Sequence, residues 1–202
     1  MTKLYITRHG QTQWNIEKRL QGHLDSPLTE VGAQQAAWLG EALSSVDFDA
    51  VYASSSPRAL RTAEIICSGR NFEVQPNDLL REIHVGEWEG RLTSELETLY
   101  PEEFENFFHR PHLYRPMSGE SYFDTGKRVI AGIEEIIEKH PDENVLIVTH
   151  AVALKLIMAH FEDRPMEKLW DPPYMHPTNL NVVEIKNNVT NILLHGDISH
   201  YK

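Results

Sequence analysis

Val145-Leu146-Ile147-Val148 is the stretch that most narrows the folds open to this chain. Four consecutive apolar residues, three of them β-branched, read as a strand covered on both faces. Such strands belong to parallel sheets layered between helices. This one spans Asn144 to Thr149, stops at His150 and leads into a helix from about Val152. Ala50–Ala53 is a second buried strand. It is followed by a Ser54-Ser55-Ser56 loop and by Pro57, which suits the first position of a helix running to about Ser68. A third strand is expected over Lys3–Thr7, where β-branched Ile6 and Thr7 precede Arg8-His9-Gly10, with the glycine letting the backbone turn sharply.

Helical signals fill the gaps. Thr29 can cap a helix to about Ser45, with Val31, Ala36, Leu39 and Leu43 near one face. Ser94 and Glu97 form a capping pattern for a short helix that ends before Pro101, and another helix covers Glu102 to His109. Pro111, Pro116 and Gly119 mark irregular chain. Ser121 opens a long amphipathic helix with Val129, Ile133, Ile136 and Ile137 on one face and Pro141 beyond its end. Leu180–Lys186 and Val189–His195 read as two strands joined by Asn187-Asn188, residues that tolerate the left-handed conformations of a tight hairpin. Alternating strands and helices with a late hairpin predict a three-layer α/β/α sandwich with a mixed, mostly parallel sheet. No repeat or linker interrupts the pattern, so 1–202 is expected to form a single domain with a helical and loop excursion at about 92–120.

Composition sets the setting. The 202 residues are 41% hydrophobic and 24% charged, the balance of a globular protein. Cys67 is the only cysteine, which excludes an internal disulfide and suits a reducing compartment. No basic segment followed by a long apolar stretch opens the chain, and no apolar run approaches the ~20 residues of a membrane span. A cytoplasmic location is expected. The formal net charge of −11 repels nucleic acid and anionic membranes, so neither is expected as a partner. A bound phosphate would need a few converging cations.

Those cations stand at the right places. In an open α/β sheet, ligands bind beyond the carboxyl ends of the strands. Arg8 and His9 follow the first strand, Arg58 lies at a helix start after the second, and His150 ends the third. Two guanidiniums and a helix start can hold a phosphate that His9 attacks. Within Leu79–Gly90, Glu82 lies between Leu80 and Ile83, where partial burial would favour a proton-donating carboxyl; Glu87 and Glu89 are expected to be solvated. His109 and His112 lack the cysteines or carboxylates of a metal site and are read as loop residues near the substrate entrance. No metal or cofactor is expected. Arg61 should pair with a local carboxylate, and His195 and His200 read as strand-end and tail residues. Asn15 suits a turn cap. Phe104, Phe107 and Phe108, near Tyr114 and Met117, form either a satellite core or an apolar wall.

The segments Arg8-His9-Gly10-Gln11-Thr12, Trp14-Asn15, Gln21-Gly22, Leu28-Thr29 with Gly32, Ser56-Pro57-Arg58-Ala59 with Arg61-Thr62-Ala63, Glu82 with Gly86 and Gly90, Gly119-Glu120-Ser121 and Val148-Thr149-His150 together resemble the histidine phosphatase superfamily, the clan of cofactor-dependent phosphoglycerate mutase. Each motif is weak alone; the ordered set covers nearly the whole chain and is highly specific. The runs at 58–65, 80–84, 111–114 and 169–175 look like the bacterial broad-specificity phosphatases of the PhoE type. The resemblance implies a phosphoglycerate mutase-like fold and a role for each matching position. His9 would be the nucleophile and Glu82 the general acid, then base. Arg8, Arg58 and His150 would hold the phosphoryl oxygens. Asn15, Gln21 and Gly22 would line the phosphate or substrate side. Two departures stand out: Gln11 replaces a frequent glutamate, and Ala151 replaces a glycine, adding a methyl group that resists positive φ and narrows the pocket.

The expected activity is hydrolysis of small phosphomonoesters through a phosphohistidine, by a monomer or homodimer, with Phe107 on an apolar wall that accepts varied substrates. The alternatives are a phosphoglycerate mutase, which returns the phosphoryl group to a retained intermediate, and a non-catalytic sensor of a phosphorylated metabolite. A mutase needs a cationic cage for a bisphosphate. Arg91, Arg110 and Arg115 stand here beside five glutamates and the aromatic cluster, a poor cage.

Overall fold

The structure, a computed structural model, describes residues 1–187 and 189–202. In chain order its elements are β1 (Thr2–Arg8), α1 (Gln13–Glu17), α2 (Glu30–Ala42), β2 (Ala50–Ser54), α3 (Pro57–Ile66), β3 (Val74–Asn77), α4 (Thr93–Leu99), α5 (Pro101–His109), α6 (Tyr122–Lys139), β4 (Asn144–Thr149), α7 (Ala151–Phe161), β5 (Leu180–Lys186) and β6 (Val189–Asp197). The six strands form one sheet in the order β3-β2-β4-β1-β5-β6. The first four of that order run parallel, and the β5–β6 hairpin is antiparallel. This is the mixed, mostly parallel sheet expected from sequence.

The apolar run of β4 explains the layering. Leu146 and Val148 pack on one face with Ala36 and Leu39 of α2 and Ala59, Ala63 and Ile66 of α3. Val145 and Ile147 pack on the other face with Val129, Ile133 and Ile136 of α6 and Leu154, Ile157 and Met158 of α7. Successive side chains of a strand point to opposite faces, so a strand between two helical layers must be apolar throughout. The register pairs Arg8 with Thr149 and Ala53 with Val148. The carboxyl ends of β1, β4 and β2 are therefore level, and the loops after them face one region.

Several local expectations need correction. Val31 is 53% exposed; α2 buries Ala36 and Leu39, and Val31 falls off that stripe. Ser94 lies inside α4, which starts at Thr93, and Glu95 rather than Glu97 reaches back to the Leu92 N–H at 3.4 Å. The edge strand β3, Val-Gln-Pro-Asn, and the five-residue α1 have too little periodicity to be read in advance. Asn187 takes the left-handed conformation expected of it, with φ of 51°; its proposed companion Asn188 lies outside the described residues. Gly10 is needed for a different reason from the one expected. Its φ is not positive; a Cβ there would lie 2.4 Å from the Gly32 carbonyl oxygen, so the glycine lets the loop after β1 press against the start of α2.

Candidate active site

The level strand ends bring four of the expected residues together. His9 follows β1 directly, and its N–H donates to the Thr149 carbonyl at 2.9 Å, which ties it to the end of β4. Arg8 is the last residue of β1, with Nη1 donating to the Met175 carbonyl at 2.8 Å. Arg58, in the first turn of α3, is 1% exposed. Its guanidinium reaches a loop 33 to 36 residues back, donating to the carbonyls of Gly22 and Leu24, each at 2.8 Å, and to Asp25 Oδ1 at 2.9 Å. His150 stands at the N-cap of α7 with its ring centroid 5.2 Å from that of His9. It makes a 2.7 Å hydrogen bond between Nε2 and Ser54 Oγ. Arg8, His9, Arg58 and Glu82 line a cavity of about 520 Å³; His150, fully buried next to His9, is not among the lining residues.

The electrostatics of His9 follow from its position. Burial lowers its pKa well below 6.5, and the Arg58 and Arg8 guanidiniums lower it further, against the Gly10 carbonyl. The imidazole is therefore neutral near pH 7. Its Nδ1 lies 2.7 Å from the Gly10 carbonyl, which assigns the proton to Nδ1 and leaves an unshared pair on Nε2. Burial and the Arg58 charge also hold His150 well below its ordinary value. Arg8 Nε, Arg58 Nε, His150 Nδ1 and Gln21 Oε1 are buried without hydrogen-bond partners. Leaving such a group unpaired costs about 1–3 kcal/mol, and this site gathers several around one imidazole. His150 shares the Ser54 hydrogen bond through Nε2, and its buried Nδ1 has no partner. The two guanidiniums are suited to the oxygens of an anion.

Glu82 is half-buried, as expected, and its hydrogen bonds add a feature that was not expected. Its carboxylate accepts the Ile83 N–H at 3.0 Å and two free N–H groups at the start of α7, Val152 at 3.2 Å and Ala153 at 3.1 Å. It serves as the cap that His150, which makes no side-chain capping bond, does not provide. Glu87 is exposed, as expected. Glu89 is not solvated: its side chain is 8% exposed and accepts the N–H groups of His23 at 2.8 Å and Leu24 at 3.1 Å. It thereby holds the loop that Arg58 also grips.

Asn15, Gln21, Gly22 and Phe107 also line the cavity. Asn15 Oδ1 caps α1 by accepting the Thr12 N–H at 3.0 Å, and Gln21 Nε2 donates to Thr12 Oγ1 at 2.9 Å. Phe107 is 3% exposed and touches Trp88, Phe108, Tyr114 and Tyr122. It is core and wall at once. Met117, 56% exposed, is not part of the cluster. Gln11 is outside the cavity lining and binds Thr29 Oγ1 at 3.0 Å. Ala151 is the first residue of α7 with no positive φ, so the backbone conflict expected of an alanine does not arise; its methyl lines the cavity. His109 ends α5 and lines the cavity, whereas His112 does not. Arg61 pairs with Glu64 at 2.9 Å, as expected.

Sequence reading missed Arg19, Lys155 and Trp170 in the lining. Lys155 had a signal: it lies four residues after Ala151 on the same face of α7. It is 4% exposed, burial brings its pKa down to about 8, and its ammonium donates to the Asp171 carbonyl. His23 was missed too; its Nε2 donates to the Glu82 carbonyl at 3.0 Å. Among the described residues, no helix is long and apolar enough to cross a membrane.

Comparison with known proteins places this geometry. The family model described as histidine phosphatase superfamily (branch 1) matches residues 4–198. The solved structure of Bacillus stearothermophilus YhfR superposes with a TM-score of 0.97 at 46% identity over 99% of each chain. Phosphoserine phosphatase 1 of Hydrogenobacter thermophilus is 34% identical over 170 residues, 84% of this chain and 81% of that one. A probable phosphoglycerate mutase, GpmB of Salmonella paratyphi A, is 34% identical over 162 residues, 79% of this chain and 74% of that one. The chain belongs to the histidine phosphatase superfamily and is an enzyme of that phosphatase class.

Proposed function

We propose that the chain hydrolyses small phosphomonoesters in two steps, with His9 as the nucleophile and Glu82 as the proton carrier. The observation that carries this reading is the buried His9 imidazole, its Nδ1 bonded to the Gly10 carbonyl, lining one cavity with Arg8 and Arg58 and standing 5.2 Å from the His150 ring. In the first step Nε2 forms a bond to phosphorus as the ester P–O bond breaks, and the protonated Glu82 carboxyl gives its proton to the leaving oxygen. In the second, the Glu82 carboxylate takes a proton from water, whose oxygen bonds phosphorus as the P–N bond breaks. Phosphate leaves and neutral His9 returns. Arg8, Arg58 and His150 hold the equatorial oxygens, and stabilising their charge supplies most of the rate enhancement. Asn15, Gln21 and Gly22 border the phosphate.

Hydrolysis rather than phosphoryl return to an intermediate is favoured by the outer wall. Phe107, Phe108, Trp170, Tyr174 and Met175 border it, and the arginines weighed for a bisphosphate cage are engaged elsewhere. Arg110 faces Glu105 at 3.6 Å, Arg115 Nη1 donates to the His112 and Tyr114 carbonyls, and Arg91 lies over the Tyr100 ring. None of the three lines the cavity; of the further cations that do, Arg19 donates to Glu17 at 2.7 Å and to the Gly90 carbonyl at 2.8 Å, and Lys155 donates to the Asp171 carbonyl. An apolar wall accepts varied phosphomonoesters, the behaviour the PhoE-type resemblance implies. The intact nucleophile, cations and acid speak against a mere sensor. In this reading 1–202 works as one domain, the excursion at about 92–120 closes the outer side, and the enzyme acts in the cytoplasm.

The test measures phosphate release from a panel that includes phosphoserine, phenyl phosphate and phosphoglycerates, alongside interconversion of 2- and 3-phosphoglycerate. Release from several members with no interconversion is expected. Efficient interconversion with little release would replace hydrolysis by the mutase reading.

A further inference from the structure

The stretch Leu79–His84 carries Glu82 from a 3-10 turn at Asp78–Leu80 into irregular chain. Backbone of this kind must find its hydrogen-bond partners elsewhere. The Leu80 carbonyl accepts from Thr149 Oγ1 at 2.7 Å, and the His84 carbonyl accepts from the Glu120 N–H at 2.8 Å. Three more carbonyls accept from a single side chain, Arg128 of α6. Its Nη1 donates to Leu79 and Arg81, each at 2.9 Å, and its Nη2 to Glu82 at 3.1 Å. The remaining donors go to Glu120: Nε to Oε1 at 2.8 Å and Nη2 to Oε2 at 2.7 Å. All five N–H groups of the guanidinium are used, in the fixed fork that a lysine cannot reproduce.

The surroundings are built to the same end. Glu120 also accepts the His84 N–H at 3.0 Å, so the ion pair grips the chain on both sides of Glu82. Gly132 lies one turn beyond Arg128 on the same face of α6. A Cβ there would sit 2.7 Å from Leu79 Cβ, so only a glycine lets the helix come this close. Thr125, on the preceding turn, is fully buried, its hydroxyl 3.0 Å from the Ser121 carbonyl and 3.3 Å from Glu120 Oε2. Neither Arg128 nor Glu120 lines the cavity, and Glu82 is the reactive group on the chain they hold.

We propose that Arg128, braced by Glu120, is a positioning residue for proton transfer, fixing the backbone around Glu82 so that its carboxyl meets the leaving oxygen. The proposal rests on the reading of Glu82 as the proton donor. It gives a role to the Gly119-Glu120-Ser121 motif, which the chemistry at His9 does not use. It also makes a distinction that simple destabilisation does not. A displaced acid penalises substrates whose leaving oxygen needs a proton and spares those whose leaving oxygen does not.

Phenyl phosphate and 4-nitrophenyl phosphate provide that contrast with nearly the same shape. Their kcat/KM values are to be measured for wild type, Arg128→Met, Arg128→Lys and Glu82→Gln. Circular dichroism would check that each variant is folded. Because kcat/KM reports steps up to loss of the leaving group, later hydrolysis of the phosphoenzyme does not enter it. A misplacement of about 1 Å can cost ~10²-fold. Arg128→Met is expected to lose about that much on phenyl phosphate and far less on 4-nitrophenyl phosphate, with Arg128→Lys between it and wild type. If Arg128→Met does not fold, the same contrast, smaller, is expected in Arg128→Lys. Equal losses on both substrates in the folded variants, or no loss, would overturn the positioning role. If Glu82→Gln discriminates between the substrates and the Arg128 variants do not, only this proposal fails. If Glu82→Gln loses equally on both, the reading of Glu82 itself fails.

Discussion

At the inner end of the pocket the reactive side chains hang on the ends of the sheet and its helices. Arg8 and His9 end β1, His150 follows β4, and Arg58 opens the helix after β2. Their backbones are set by strand register and their side chains are buried. At the outer end the wall comes from chain outside the sheet, namely α5 and residues 170–175. There the order comes from rings packed on rings: Phe107 against Trp88, Phe108, Tyr114 and Tyr122, and Tyr122 against Trp170. Two hydrogen bonds, from Tyr122 Oη and Trp170 Nε1, fasten the Phe107 carbonyl at 2.7 and 3.2 Å. The inner end cannot move without breaking the sheet, whereas the outer end can be rebuilt by exchanging packed rings. Chemistry and selectivity are thus carried by separately constructed parts.

The sharpest way to break this division is to remove the inner nucleophile. His9→Ala is expected to abolish turnover on every substrate, and a denaturing quench of wild-type enzyme should trap acid-labile, base-stable phosphate on His9. Full activity in the variant would end the covalent route. Next in size is Glu82→Gln, expected to slow turnover by ~10²–10⁴-fold. If Glu87→Gln shows the large loss instead, the acid lies elsewhere on the loop.

A third expectation concerns stability. His9 and His150 are held neutral by burial and by nearby guanidiniums. Below pH 6.5 the unfolded chain takes up protons that the folded chain refuses, so the unfolded state binds more protons and stability falls as pH falls. Each histidine contributes up to about 1.4 kcal/mol per pH unit, from near pH 6.5 down to its depressed folded-state pKa. Thermal melts between pH 7 and 5 should show the decline, and His9→Ala should make it shallower. Phe108→Ala, at the outer end, should lower the curve without changing its slope. A slope unaltered by His9→Ala would mean that His9 is not held neutral.

The smallest effect belongs to selectivity. Phe107 is too deeply packed to be informative, since truncating a buried phenylalanine costs ~3–5 kcal/mol. Phe108 is half-buried and lines the cavity. Phe108→Ala is expected to raise KM for aromatic phosphomonoesters by ~10-fold while leaving phosphoserine little changed, with kcat preserved for both. An equal rise for both would make the ring part of the core rather than a wall.

The amino-acid sequence by itself determined what local interactions decide. The apolar run of β4 required helices on both faces, and the caps at Thr29 and Ser121 began α2 and α6 where expected. The placing of His9, Arg58 and His150 after strands made their convergence legible, because parallel strands in one sheet end on the same side. Only the tertiary structure decided matters that depend on partners far along the chain. Glu89 was expected in solvent, yet it is buried by the loop at His23 and Leu24, 65 or more residues away. Glu82 was expected to be half-buried, and it is; that it also caps α7 across 70 residues of chain was not legible. Arg128 gave no sequence signal beyond a polar position on an amphipathic helix, although it holds three carbonyls beside the candidate acid. Local pattern reports which face of an element is apolar; what meets the polar groups depends on how the finished layers come together.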